Sequence, residues 1–218
     1  MEKKHFTFDE LMQLETRFRA SLINSLGGFK SVALIGTKSA SGQTNLAIFN
    51  SFVHIGANPP YIGFISRPDS VDRHTLENLQ TTGYYTINHL NESIYKAGHQ
   101  TSARFRREQS EFDETGLTAE YRSDFWAPFV AESNVQLGVK FIHDVPLEIN
   151  GTLLVIGKIE HIYFPPGSLS ADGYLDLEKL GTVAGSGLDS YHTTQRLDRL
   201  TYAKPGVELQ SVAIDYLE

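Results

Sequence analysis

The chain has 218 residues, a length that favours one domain, and its 40% hydrophobic and 21% charged content is ordinary for a globular protein. Its net charge of −7 repels nucleic acid and anionic membranes over long range, so neither is expected as a partner. With no cysteine in the sequence, disulfides, iron–sulfur clusters and thiol nucleophiles are excluded.

The opening residues, MEKKHFTFDEL, are charged and carry no apolar run, so no secretory leader is expected. The apolar stretches at 32–35 and 153–156 are far too short to cross a bilayer. The expectation is a soluble, cytoplasmic protein. Thr7 and Glu10 have capping-box spacing, and Phe6 and Leu11 stand where a hydrophobic staple would put them. Leu11, Leu14, Phe18 and Leu22 recur with helical period, and Gly27-Gly28 closes the segment. The spacing predicts one long helix or two abutting ones over 7–26, laid on the core as a cover.

Residues 31–37 predict a short strand, 38–42 a polar turn, and 43–53 a second strand returning antiparallel. Asn45, Asn50 and Ser51 interrupt the apolar run of that second strand, and such small polar groups suit a flat ligand with a polar edge. Pro59-Pro60 forbids ladder donation and forces a bend before a third strand over 61–66. Thr75 is placed to cap a short helix that turns Leu76 and Leu79 inward, and Gly83 stops it before a fourth strand over 83–90. Helical pieces are predicted at 93–98 and 103–109. Val135, Leu137, Val139 and Phe141 share one face of an alternating run over 134–143, and 151–164 predicts a long strand ending at Pro165-Pro166. Short strands with few helices argue for a mainly β chain with peripheral helices, folded as a closed or half-closed antiparallel barrel. One domain over 1–218 is expected, with the helical cover at 7–26, the barrel core at about 31–165 and an extension over 166–218.

Two basic constellations follow. Arg67 directly succeeds the third strand, and Arg73, His74 and Thr75 come shortly after. With Thr75 as a cap, the helix N–H groups, its dipole and these side chains converge on one anion; the same spacing suits solvated loop charges. His99, Thr101 and Ser102 stand with Arg104, Arg106 and Arg107. They suit a phosphate, whether a cofactor's or a nucleotide donor's, or equally a solvated helix face paired with Glu108 and Glu111. The eight histidines show no ligand spacing, so no metal site is expected. No G-x-S-x-G elbow, Walker sequence or complete G-x-G-x-x-G is present, which argues against a serine hydrolase and a Rossmann domain. Tyr191 and His192 follow a flexible glycine pair and either overhang a planar ligand as substrate contacts or mark a packed turn.

In order along the chain stand Asn45, Ala47, Phe49 and Phe52, then Asn58-Pro59-Pro60, then Arg73-His74-Thr75 with Asn78-Leu79, then Thr82-Gly83. Ser110-Glu111-Phe112, Gly116-Leu117 and Gly157 continue the set. This ordered series resembles the flavin reductase-like family, the FMN-binding split β-barrels that include the flavoredoxins. The resemblance implies a Greek-key-like antiparallel split barrel and a homodimer with one FMN per subunit near the interface. It implies that Asn45, Ala47, Ile48, Phe49, Asn50 and Ser51 border the isoalloxazine ring. The phosphate would fall to Arg67, His74 and Thr75, with Ser102. Asn50 departs from the family's usual Ser, and His74 from its common Asp. The implied activity is an FMN-dependent NAD(P)H oxidoreductase passing electrons to free flavin, iron or a partner. The alternative is a flavoredoxin-like carrier that FMN serves without NAD(P)H turnover.

Overall fold

A computed structural model describes residues 3–67 and 74–218. The chain opens with two helices, α1 (Phe8–Gln13) and α2 (Thr16–Leu26). Thr7 Oγ1 accepts from the Glu10 N–H at 3.3 Å while the Glu10 carboxylate accepts from the Thr7 N–H at 2.7 Å, a complete capping box. The Glu15 carboxylate takes the Phe18 N–H at 2.9 Å and starts a second helix there, so two abutting helices form. The predicted cover is corrected: neither helix buries a residue, and Phe8 (74% exposed), Phe18 (56%) and Leu26 (71%) stand open. Of the predicted stripe, Leu11, Leu14 and Leu22 are half-buried and Phe18 is exposed.

The strands follow as β1 (Lys30–Ser31), β2 (Ala33–Lys38), β3 (Thr44–Phe49), β4 (Phe52–Ala57) and β5 (Pro60–Ser66). Helix α3 (His74–Thr82) leads to β6 (Tyr84–His89), then come α4 (Tyr95–Gln100) and α5 (Glu111–Thr115). The chain continues through β7 (Ala119–Glu120), β8 (Phe129–Val130), β9 (Gln136–Leu147), β10 (Thr152–Tyr163), β11 (Ala184–Ser186) and β12 (Ser190–His192). Segment 103–109 is not helical; it turns irregularly, and the helix begins at Glu111 instead. The charge pattern explains this. Glu111, Asp113 and Glu114 suit the positive start of a helix, whereas Arg104, Arg106 and Arg107 do not.

Seven strands form one antiparallel sheet in the order β3-β2-β6-β9-β10-β5-β4. Its two edges, β3 and β4, are consecutive in the chain and separated only by Asn50 and Ser51. In a flat sheet six strand spacings would part them by about 29 Å. A two-residue link spans roughly 11 Å at most. The sheet must therefore curl until its edges meet, which makes an antiparallel barrel with a seam. This also corrects the expected strand over 43–53. Apolar residues stand on both sides of Asn50-Ser51, but the chain changes edge there, where the Ile65 N–H donates to Ser51 O at 3.2 Å and Ser51 Oγ donates to Ile65 O at 2.9 Å.

Inside the curl, Ile35, Phe64, Tyr85, Ile87, Val139 and Val155 pack together, with Leu76 and Leu79 of α3 closing one end. On the outer face Leu34, Leu46, Leu90, Phe112 and Val130 form a second cluster. Strand β2 contributes to both, so residues 33–37 are all buried.

His89, at the end of β6, has a buried Nδ1 with no hydrogen-bond partner among the described residues, and burial pushes its pKa down to about 4. An unfolded chain binds that proton near 6.5, so the ring's contribution is whole above about pH 6.5 and is lost as pH falls through about 4. Urea unfolding at pH 7 and pH 4 should show stability falling by at most about 3 kcal/mol on this ring's account. His89→Gln should flatten that slope; equal slopes in the two proteins would remove His89 from the acid response.

Candidate functional site

A cavity of about 880 Å³ opens at the seam. Its floor is β3 and the linker after it: Asn45, Ala47, Ile48, Phe49, Asn50 and Ser51 all line it. The register aligns residues 44–49 with β2, and because the Leu46 N–H leaves that ladder for the Glu111 carboxylate, antiparallel alternation turns the N–H groups of Ile48 and Asn50 outward as well. Glu111 Oε2 accepts the Leu46 N–H at 2.9 Å. Burial pushes the Glu111 carboxyl above the usual range, against the pull of that N–H. The outward edge at Ile48 and Asn50 thus faces the cavity.

Arg67, His74, Thr75 and Ser102 line the same cavity, so the structure gathers the residues expected at ring and phosphate into one place. Thr75 is not a cap, however. Thr75 lies within α3, and its Oγ1 accepts from Asn45 Nδ2 at 3.0 Å. Asn45 Nδ2 also reaches Thr37 Oγ1 at 3.2 Å, and Asn78 Nδ2 reaches that same hydroxyl at 3.1 Å. All four side chains are buried. They form a strut that pins the first turn of α3 to β2 and β3, with that turn facing the cavity. Arg73 lies outside the described residues.

The opposite wall is a hairpin the sequence reading did not assign. Residues 185–191 of β11, its turn and β12 line the cavity. Asn50 Nδ2 and Lys30 Nζ both donate to Gly187 O, each at 3.2 Å, and hold this hairpin over the floor. Tyr191 Oη and His99 Nδ1 are hydrogen-bonded at 2.7 Å, joining the hairpin to the end of α4. Burial, then the charge of Asp189, raises the Tyr191 hydroxyl. His192 does not line the cavity. Alternation along β12 puts it on the other face, where Nε2 bonds Ser186 Oγ at 2.8 Å and the ring meets Phe29 edge-on at 4.9 Å. In the basic run, Arg107 pairs with Glu77 of α3 at 2.6 Å. Among the described residues no group of three or more His, Cys, Asp or Glu side chains is placed to hold a metal, and no helix is long and apolar enough to cross a membrane.

An antiparallel barrel whose two edges meet over a polar-floored cavity defines the split-barrel class of flavin-handling proteins. The flavin reductase like domain family matches residues 29–179. The chain belongs to the flavin reductase-like family, and with it to the flavin-related oxidoreductases. A crystal structure of a candidate flavin reductase with a split barrel domain from Shewanella frigidimarina NCIMB 400 is 53% identical, with a TM-score of 0.89, covering 92% of this chain and 100% of that one. A protein of Halalkalibacterium halodurans, named only as uncharacterized, is 30% identical over 184 residues, 80% of this chain and 88% of that protein. The flavoredoxin of Desulfovibrio vulgaris (Miyazaki F), at 19% identity and a TM-score of 0.68 over 82% of this chain and 92% of its own, shares the fold.

Proposed function

We propose that this chain binds FMN at the seam and works as an FMN-dependent NAD(P)H oxidoreductase. The observation that carries the proposal is the convergence, in one cavity, of an outward strand edge and the start of a pinned helix beside Arg67, which has no acidic partner among the described residues. A flat ring with polar edges meets the N–H groups of Ile48 and Asn50, while Ala47 and Phe49 of β3 and Ser51 of the linker border it. The phosphate meets Arg67, His74, Thr75 and Ser102 at the positive end of α3. Bound FMN supplies the redox chemistry, so the protein's task is to bind, orient and shield. Asn45 acts as a positioning residue for the phosphate site, because it holds α3 rather than the ring. Tyr191, tied to His99, narrows the space left for the nicotinamide donor and the acceptor.

Mixing the FMN-loaded protein with NADH or NADPH should bleach the flavin absorbance. An oxidised spectrum that persists with both, but collapses with a reduced ferredoxin-type protein, would select the electron-carrier reading instead. Arg67→Ala should weaken FMN binding by about 1.5–3 kcal/mol through loss of a charge-assisted bond to phosphate. An unchanged fluorescence titration would take Arg67 out of the site.

The proposal extends to a homodimer. Phe8, Phe18, Leu26 and Phe29 are exposed along the N-terminal segment, an apolar stripe that a second copy would cover. Light scattering at micromolar concentration should give twice the chain mass, and a monomer would overturn this.

A further inference from the structure

Four arginines, Arg67, Arg104, Arg106 and Arg107, line the cavity against two carboxylates, Glu111 and Asp189. Arg67 and His74 already stand with the start of α3, and Arg107 is neutralised by Glu77. Arg104 and Arg106 remain, both exposed, both lining the cavity and neither paired with an acid among the described residues. Their positions are not free to wander. Phe105 between them is half-buried, the Arg106 N–H donates to Gln109 Oε1 at 3.1 Å, and Gln109 Nε2 is itself bonded to Glu114 at 2.9 Å. Further along, Ser110 Oγ and Thr44 Oγ1 are bonded at 2.7 Å, tying the end of the loop to the start of β3. In a chain of net charge −7, two unpaired guanidinium groups carried on a loop whose backbone is tied at the cavity wall attract an anion only locally. The cavity volume of about 880 Å³ also lies near the top of the range of roughly 300–1,000 Å³ for small-ligand sites. That leaves room for a second ligand beside the first.

We infer that Arg104 and Arg106 form a second anion subsite, which takes the phosphates of the dinucleotide electron donor while the flavin phosphate sits at α3. Assigning the anion to a dinucleotide rests on the function proposed above. The guanidinium fork suits the pyrophosphate of either donor and the additional 2′-phosphate that distinguishes NADPH from NADH.

The test titrates oxidised, non-reacting NADP⁺ and NAD⁺ into the FMN-loaded protein by calorimetry, for wild type and for Arg104→Ala/Arg106→Ala. A parallel titration adds FMN to the flavin-free forms of both. The expected result is a loss of dinucleotide affinity of about tenfold or more with FMN affinity unchanged, and recovery of much of that affinity in Arg104→Lys/Arg106→Lys. A loss confined to NADP⁺ assigns the subsite to the 2′-phosphate, and an equal loss for both assigns it to the pyrophosphate. Unchanged dinucleotide affinity overturns the inference, as does a matching fall in FMN affinity, which would return both arginines to the flavin phosphate. Failure of wild type to bind FMN would sink the flavin reading by itself. The dinucleotide titration, repeated without flavin, would still read the arginine wall.

Discussion

Gly36→Ala should lower the unfolding free energy by about 3 kcal/mol. Gly36 sits in β2, a central strand with both neighbours paired, so the backbone there has little freedom to move. A Cβ at this position would fall on the Pro128 carbonyl oxygen and on Thr86 Oγ1. Those two atoms are hydrogen-bonded to each other at 2.6 Å, and Thr86 also accepts from Asn88 Nδ2 at 2.9 Å. The added methyl therefore has to displace backbone and a buried polar network at once. Neither gives way as a flexible side chain would. Urea unfolding monitored by the single tryptophan should show the drop. A change below about 1 kcal/mol would mean that the 128 segment is not held against β2 as described.

Asn45→Ala should cost about 2 kcal/mol of stability and weaken FMN binding by roughly tenfold. The substitution removes the one donor that reaches both Thr37 and Thr75, and it leaves a buried hydroxyl on α3 without that bond. The stability loss follows from the exposed accounts of hydrogen bonds and cavity together. The loss of affinity follows from a different cause, since α3 would no longer be fixed relative to β3. Denaturation and flavin fluorescence titration on the same preparation separate the two. A destabilised variant with wild-type affinity would show that the phosphate site does not depend on the strut.

Much of the barrel was legible because alternation reports local burial. Leu137 and Val139 mark one face of β9, and the capping box at Thr7 sets the first helix start within a residue. The break at Asn50-Ser51 was not legible as a break. Two polar residues within an apolar run suit a ligand-facing stretch of one strand equally well, and only the meeting of two distant sheet edges makes the break necessary. The α2 stripe shows what amphipathic period can and cannot say: it marks a face that is apolar, not what lies against it. Of the site, the β3 floor and the Arg67–Thr75 end were readable as a series, whereas Glu111 looked like a surface partner for arginine. It lies instead against β3, sixty-five residues away, with its carboxylate on a backbone amide. Tyr191 and His192 were inseparable by type, and only strand alternation parts them.

The bond from Leu46 to Glu111 has a consequence for how the protein keeps company with other chains. Strand β3 is an open border, and an unguarded row of amides there would recruit any passing extended segment as an extra rung. A carboxylate supplied from α5 occupies one of those amides with a charge that a foreign strand cannot imitate, which disfavours edge pairing at that rung. The remaining border can then stay bare for a small molecule without inviting a polymer.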